Sequence, residues 1–407
     1  MATAQPQAQT GLSTAGRASL LVLGAAAFMV SADARVIDPL LHIIAGQFGT
    51  SVAKASVVIS AYALPYGFFQ LFYGPIGDRI GKLRIMSYCL ALFAIGTFAC
   101  AFVPNLPIFA VLRFLTGVVA AAVIPMSLGY IGDKFPYEER QAALGRFMSA
   151  LMLGQILSSS LGGIFGQYIG WRDIFIVFGI VSLLVAGALY REALKYPEAR
   201  KEGTKLGFAM FSQYRKLIAR PAAGVILGVV LVEGFFVFGG MAYLGASLRD
   251  RFGLPYGQIG LMLGGFGLGG LIYSFSVKKL VKKIGDIGIL LLGGSLLAIG
   301  YIAIAMTKQW QWFIPFNILL GMGYYTMHGT LQTRATEMAP EARGTAVSLF
   351  AFAFFMGQST GPIGLGHILE SSGYPAVFAT AGIGLFALAV VGKFLFAHSA
   401  KRAAQAN

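Results

Sequence analysis

The chain has 407 residues, is 57% hydrophobic and only 12% charged, and has a mean hydropathy of +0.74. That much apolar surface excludes a single water-soluble domain of this size and points to lipid as the solvent. The net charge of +15 would suit a nucleic-acid partner, but its placement along the chain assigns it to the membrane surface.

In chain order, residues 1–18 form a polar, Ala/Gln/Thr-rich stretch expected to be a disordered cytoplasmic N-terminus. No small-residue cleavage site follows a short apolar core, so the first apolar run is read as a retained span. Twelve runs long enough to cross a bilayer follow, at 19–45, 54–76, 83–103, 106–131, 142–168, 171–192, 219–248, 256–277, 284–306, 311–336, 342–370 and 374–397. They are numbered here as spans one to twelve. Backbone groups in hydrocarbon must bond within their own segment, which selects helices, and the strict alternation of barrel strands is missing. Residues 193–218 separate six spans from six, and 398–407 form a cytoplasmic tail. The expectation is an all-α membrane protein of twelve transmembrane helices in two pseudo-symmetric six-helix bundles, 19–192 and 219–397. In the 193–218 linker, Leu206, Phe208, Met210, Phe211, Tyr214 and Leu217 interleave with Lys205, Arg215 and Lys216. Two readings stand for it: a short interfacial helix on the leaflet, or a solvated connector.

With the N-terminus placed in the cytoplasm, Arg79, Lys82, Arg84, the 191–220 segment and the Lys278, Lys279, Lys282, Lys283 cluster all fall on the cytoplasmic side. Lys54, Arg172, Arg249, Arg251 and Lys308 are the few outside. The positive charge thus reports orientation and contact with the bilayer, not nucleic acid. Both termini are expected in the cytoplasm. Cys89 and Cys100 share one apolar run and are read as packing residues, without a disulfide or metal framework. No phosphate-cradling loop and no catalytic constellation is present, so an enzyme is not expected.

The two halves repeat. Gly24 matches Gly228 at a spacing of 204, as Phe48-Gly49 matches Phe252-Gly253 and Ala94-Ile95-Gly96 matches Ala298-Ile299-Gly300. Phe109, Arg113 and Gly117 match Phe313, Asn317 and Gly321 in the same register. After a one-residue slip, Arg140 matches Arg343, Gly154-Gln155 matches Gly357-Gln358, and Gly170 matches Gly373. A duplicated apolar pattern of this length marks carriers whose halves rock around a central site.

Between spans two and three lies Gly74-Pro75-Ile76-Gly77-Asp78-Arg79-Ile80-Gly81-Lys82-Leu83-Arg84. This resembles the signature loop of the major facilitator superfamily, with Gly74, Asp78, Arg79, Gly81, Lys82 and Arg84 at its motif positions. Arg113-Phe114-Leu115-Thr116-Gly117 is similar to the family's span-four element implicated in proton coupling. Asp133 with Arg140, and Glu337 with Arg343, resemble the charged span ends that latch to the loop. The resemblance is to the bacterial drug/proton-antiporter-like branch, with arabinose-efflux permeases as its type. It implies alternating access, no cofactor beyond a proton gradient, a small-molecule substrate and a monomer in the bacterial cytoplasmic (inner) membrane. One element departs: in span five, Ser158-Ser159-Ser160 stands where antiporters carry Gly-Pro, while span eleven keeps Gly361-Pro362.

A charge near mid-membrane costs at least about 2.5–3.5 kcal/mol, so each one needs a reason. Span one carries Asp33, Arg35 and Asp38, span four Arg113, and span seven Glu233. At about 1.5 Å per residue, Asp33 lies roughly 13 Å and Arg113 roughly 10 Å below the outer face, level enough to pair. Either Asp33 takes up a proton whenever it is parted from Arg113, or the pair is static and only fixes helix packing. Arg35 and Asp38, three apart, can pair locally. Glu233 lies among Phe235, Phe236 and Phe238, which suits an amphipathic or cationic substrate, or else it is a neutral acid bonded to a neighbouring helix. Tyr62, Tyr66, Phe69, Gln70, Gln155, Tyr324, His328 and Gln358 are further candidates for the pocket wall, although such residues on membrane helices more often serve packing. The resulting expectation is proton-coupled efflux. Uptake of an organic anion by proton symport, drawn by Arg35 and Arg113, and a non-transporting sensor on the same fold are the alternatives.

Overall fold

The structure, a computed structural model, describes the backbone of residues 14–196, 208–339 and 342–405, and their side chains except at 14–18, 74, 75, 78, 137, 138, 208–211, 278 and 398–405. Nine helical segments among these residues are long and apolar enough to cross a membrane. One of them, Arg343–Ala397, runs for 55 residues and is broken at Gly373 (φ 76°), so it holds spans eleven and twelve. The helices Thr14–Arg35 and Phe313–Glu337 supply spans one and ten. The architecture is therefore twelve spans in two six-helix bundles.

Helix breaks follow from local chemistry. A proline has no N–H to give the carbonyl four residues earlier. The first helix accordingly ends at Arg35, four before Pro39, and resumes as Leu41–Gln47. Span four is two helices, Leu106–Ala120 and Val123–Lys134, with the interruption four residues before Pro125. Asn105 caps its start, accepting from the Ile108 amide at 3.0 Å. Span seven also divides, into Pro221–Met241 and Leu244–Phe252, and Met241 is the repeat partner of Ile37 in the span-one break. Span two stays helical to Ile80, so the turn into span three is Gly81 alone and not the whole signature segment. The first helix begins at Thr14, inside the tail assigned to disorder, and the last runs on to Gln405.

The duplication is visible in the backbone. Every positive-φ residue described is a glycine, and they pair across the halves: Gly49 with Gly253, Gly81 with Gly285, Gly170 with Gly373. Those are the 204, 204 and 203 spacings of the sequence repeat, and each sits at a turn that L side chains resist. Helix contacts repeat too. A Cβ on Gly117 would strike the Tyr62 carbonyl, and one on Gly321 would strike the Phe266 carbonyl, the same pair of positions moved by 204.

Large apolar side chains such as Leu92, Ile95, Leu115, Leu184, Phe275 and Phe394 stay exposed on the outer surface, where lipid is the natural contact. Asp33, Asp38, Arg113, Glu233 and Gln358 are buried inside. We call the end with the Gly81 turn the loop face and the opposite end the far face. Most contacts between halves lie towards the far face. His42 Nε2 is 2.8 Å from Asp250 Oδ1, Ser51 donates to Glu370 at 2.7 Å, and span five meets span eight where Gly163 faces the Tyr256 carbonyl and Gly260 faces that of Ser159. Further towards the loop face, Gly67 abuts Phe355 and Phe68 packs on Phe352.

Of the predicted linker, residues 197–207 lie outside the described residues. Phe208–Ile218 is a helix. Its buried Leu217, and Tyr214 donating to the Leu71 carbonyl at 3.2 Å, dock it against the bundle, so this part is neither a solvated connector nor held by lipid alone.

Candidate functional site

The centre of the molecule is a cavity of about 80 Å³ between the halves. Tyr62, Tyr66, Arg35 and Gln155 line it from the first half, and Tyr324 and Gln358 from the second, six of the predicted residues in one place. The volume admits a few water molecules and falls below that of a drug-sized pocket, so the halves are closed on one another at this level.

Two pairs of polar side chains, the ion pair Asp33–Arg113 and the hydrogen-bonded pair Glu233–His328, flank the cavity, each joining the first and fourth spans of one half. Arg113 Nη1 donates to Asp33 Oδ2 at 2.5 Å, and Nη2 donates to the Asp33 carbonyl at 3.1 Å. The guanidinium lies 4.2 Å over the ring of Tyr62, which itself stacks on Tyr66. In the other half, His328 Nδ1 is 2.9 Å from Glu233 Oε2, with the imidazole stacked on Tyr324. Sequence spacing gave no reason to join His328 to Glu233. They lie on different helices, and the repeat partners of both, Ile124 and Met29, are apolar. Both pairs keep an oxygen, Asp33 Oδ1 and Glu233 Oε1, buried without a hydrogen bond. Such atoms are costly unless the charge state or the geometry changes in the working cycle.

Arg35 and Asp38 also meet, loosely, at 3.7 Å. The Arg35 guanidinium reaches across to the second half and lies 3.9 Å from the centre of the Phe238 ring. Phe238, noted in the sequence beside Glu233, is on the cavity wall, and Phe354, also on the wall, was not among the sequence candidates. Phe236 was, but its ring packs on Gly384 of span twelve. Phe69 is half-buried among Phe68 and Phe72, and Gln70 is half-buried; neither lines the cavity. His328 does not line it either, because its ring is turned to Glu233.

At the loop face, Lys82 Nζ is 2.7 Å from Asp133 Oδ2, tying the signature segment to the end of span four. The second half has the matching tie with its polarity reversed. Asp286, the repeat partner of Lys82, sits 3.7 Å from Arg334 at the end of span ten. Arg334, not Glu337, thus occupies the latch, while Glu337 and Arg343 are exposed. Arg140 donates to the Phe135 carbonyl at 3.3 Å, Arg84 is half-buried and Arg79 is exposed. The side chain of Asp78 and the surroundings of Gly74 lie outside the described residues. Lys82→Asp is expected to impair transport, and Lys82→Asp with Asp133→Lys to restore much of it. Uptake into inverted vesicles checks this, and no recovery in the double variant would count against the latch.

Twin six-helix halves packed around a closed polar cavity, with a buried ion pair at its edge, define the architecture of a secondary carrier. The chain belongs to the major facilitator superfamily, whose description matches residues 23–362. It is 28% identical to the uncharacterized MFS-type transporter YceJ of Bacillus subtilis, over 85% of this chain and 87% of that one. It is 24% identical to a probable sugar efflux transporter of Helicobacter pylori, over 91% and 93%. The fold is shared with the nucleoside transporter NupG at a TM-score of 0.78 and 11% identity, covering 93% of this chain and all of that one. A bacterial homolog of the lysosomal transporter Spinster in an inward-facing conformation gives a TM-score of 0.69 at 19% identity, covering 96% of each. The protein is thus a multi-pass membrane transporter and not an enzyme.

Proposed function

We propose that this carrier exports a small organic molecule in exchange for protons, in the bacterial cytoplasmic membrane, with the loop face and both termini in the cytoplasm. The observation that supports it best is the Asp33–Arg113 pair. It is a carboxylate closed on a guanidinium beside the central cavity, on the first and fourth spans of one half. While the pair is intact, the guanidinium of Arg113 favours the ionised form of Asp33. When substrate, or a shift of span one against span four, parts the pair, an unpaired buried carboxylate takes a proton from the open side. Substrate and proton then cross in opposite directions on alternate strokes. The excess of Lys and Arg at the loop face supports the orientation. The efflux relative supports the direction. Proton symport in the uptake direction is the second reading, which the same buried pair would also serve.

Reconstitution into liposomes loaded with a pH-sensitive dye separates the two. When substrate is added outside acid-loaded vesicles, exchange alkalinises the lumen and symport acidifies it. Substrate movement with no pH change would rule out both.

A further inference from the structure

The charge that the cavity offers decides what it holds. Sequence position alone nominates five charged residues for it, Asp33, Arg35, Asp38, Arg113 and Glu233. The structure withdraws most of them. Asp33 and Arg113 are 0% and 1% exposed and closed on each other behind Tyr62. Glu233, 0% exposed, is turned to His328. Asp38 lies in an adjoining cleft. Among the described residues lining the central cavity, Arg35 is the one charged side chain.

Arg35 is also under-used. A guanidinium carries five N–H donors in a planar fork matched to a carboxylate. Here its carboxylate partner is Asp38 at 3.7 Å, well beyond the roughly 2.7–2.9 Å of a charge-assisted hydrogen bond. One face of the group is covered by Phe238. The rest of the wall supplies aromatic surface from both halves and two amides, Gln155 and Gln358, one from each half.

We infer that the central cavity, once the halves part enough to widen it, binds an aromatic organic acid, with its carboxylate on Arg35, its ring against Phe238 and Phe354, and its remaining polar groups on Gln155 and Gln358. This rests on the carrier reading above and names the substrate class of the same site. Asp38 is the resident counter-ion, which keeps the buried cation from being unpaired while the site is empty. A ligand carboxylate that reaches both arms of the fork improves on the 3.7 Å contact. Because Arg35 belongs to the first half and Phe238 to the second, the ligand bridges the halves, as a carrier requires if binding is to be felt by both. An inside-negative potential also drives an anion outward, the direction proposed for export.

The test uses three probes with one ring system and different charge: 2-naphthoate, 2-naphthamide and 2-naphthylmethylamine. With the full-length protein in detergent, naphthoate is expected to raise the unfolding midpoint and the other two to leave it unchanged. Arg35→Gln is expected to weaken naphthoate at least about tenfold, and Arg35→Lys, which keeps the charge but not the fork, by less. Phe238→Leu, a milder change, is expected to weaken the acid and leave the unliganded midpoint near that of the parent. The inference is overturned if the amide or the amine stabilises the parent as well as the acid does, or if millimolar naphthoate has no effect on it. Naphthoate affinity in folded Arg35→Gln within about twofold of the parent overturns it too. In liposomes the two claims part. Naphthoate counterflow without proton movement retains the anion site and removes proton exchange. Exchange of the amine but not the acid for protons does the reverse.

Discussion

Arg113→Met is expected to destabilise the protein by about 3–5 kcal/mol, because it leaves the Asp33 carboxylate buried with no cation beside it. Asp33→Asn has the mirror effect. Arg113 would keep the Asp33-position carbonyl and the Tyr62 ring but lose its counter-charge. Combining Asp33→Asn with Arg113→Met removes both charges, so the double variant is expected to be distinctly more stable than the sum of the singles. Thermal unfolding in detergent measures all three. Transport should separate from stability: the double variant folds, yet pH-gradient-driven transport falls to background. Additive destabilisation would show that the two groups are energetically independent. A well-folded Asp33→Asn carrier that still responds fully to a pH gradient would remove the proton role and leave the pair as a packing element.

A second large effect is steric. At the crossing of spans five and eight, Gly163 and Gly260 bring two backbones together, and a Cβ on Gly163 would collide with the Tyr256 carbonyl and lie 2.9 Å from the Gly260 Cα. Neither obstacle is the flexible end of a side chain. Gly163→Val is therefore expected to penalise the state closed at the far face by about 1–3 kcal/mol. That displaces the equilibrium between states by about 5–150-fold towards the far face being open. The readout is labelling of a cysteine at Ser159, a residue of the adjoining cleft that is 7% exposed, after replacing the buried Cys89 and Cys100. Faster labelling from the far side together with slower transport is the expected result. Unchanged labelling with undiminished transport would mean that the crossing bears no part of the closure.

The site was partly legible in the sequence. Depth along two oppositely directed helices put Asp33 and Arg113 at one level, and the structure joins them, because helical rise is constant and the membrane fixes where each helix begins. Rotation about a helix axis is not constrained in that way. Glu233 sits near Phe235, Phe236 and Phe238 in the chain, but each successive residue turns about 100° around the helix. Phe238 therefore faces Arg35 while Phe236 faces Gly384. Glu233–His328 escaped notice because neither residue has a polar repeat partner to flag it. The Asp286–Arg334 tie was within reach, since Asp286 is the 204-residue image of Lys82, yet its inverted polarity hid it from a search for the same motif.

From the sequence alone came the membrane as solvent, the twelve spans, the internal duplication and the superfamily. The first three depend on how much apolar surface recurs at what interval, which a bilayer imposes on any chain that crosses it, and the superfamily on the resemblance carried by the 74–84 segment. Only the tertiary structure decided which ionised groups are closed on each other and which one faces the cavity. That choice depends on helix rotation and on contacts between residues far apart in the chain, and no local pattern of side chains encodes either one.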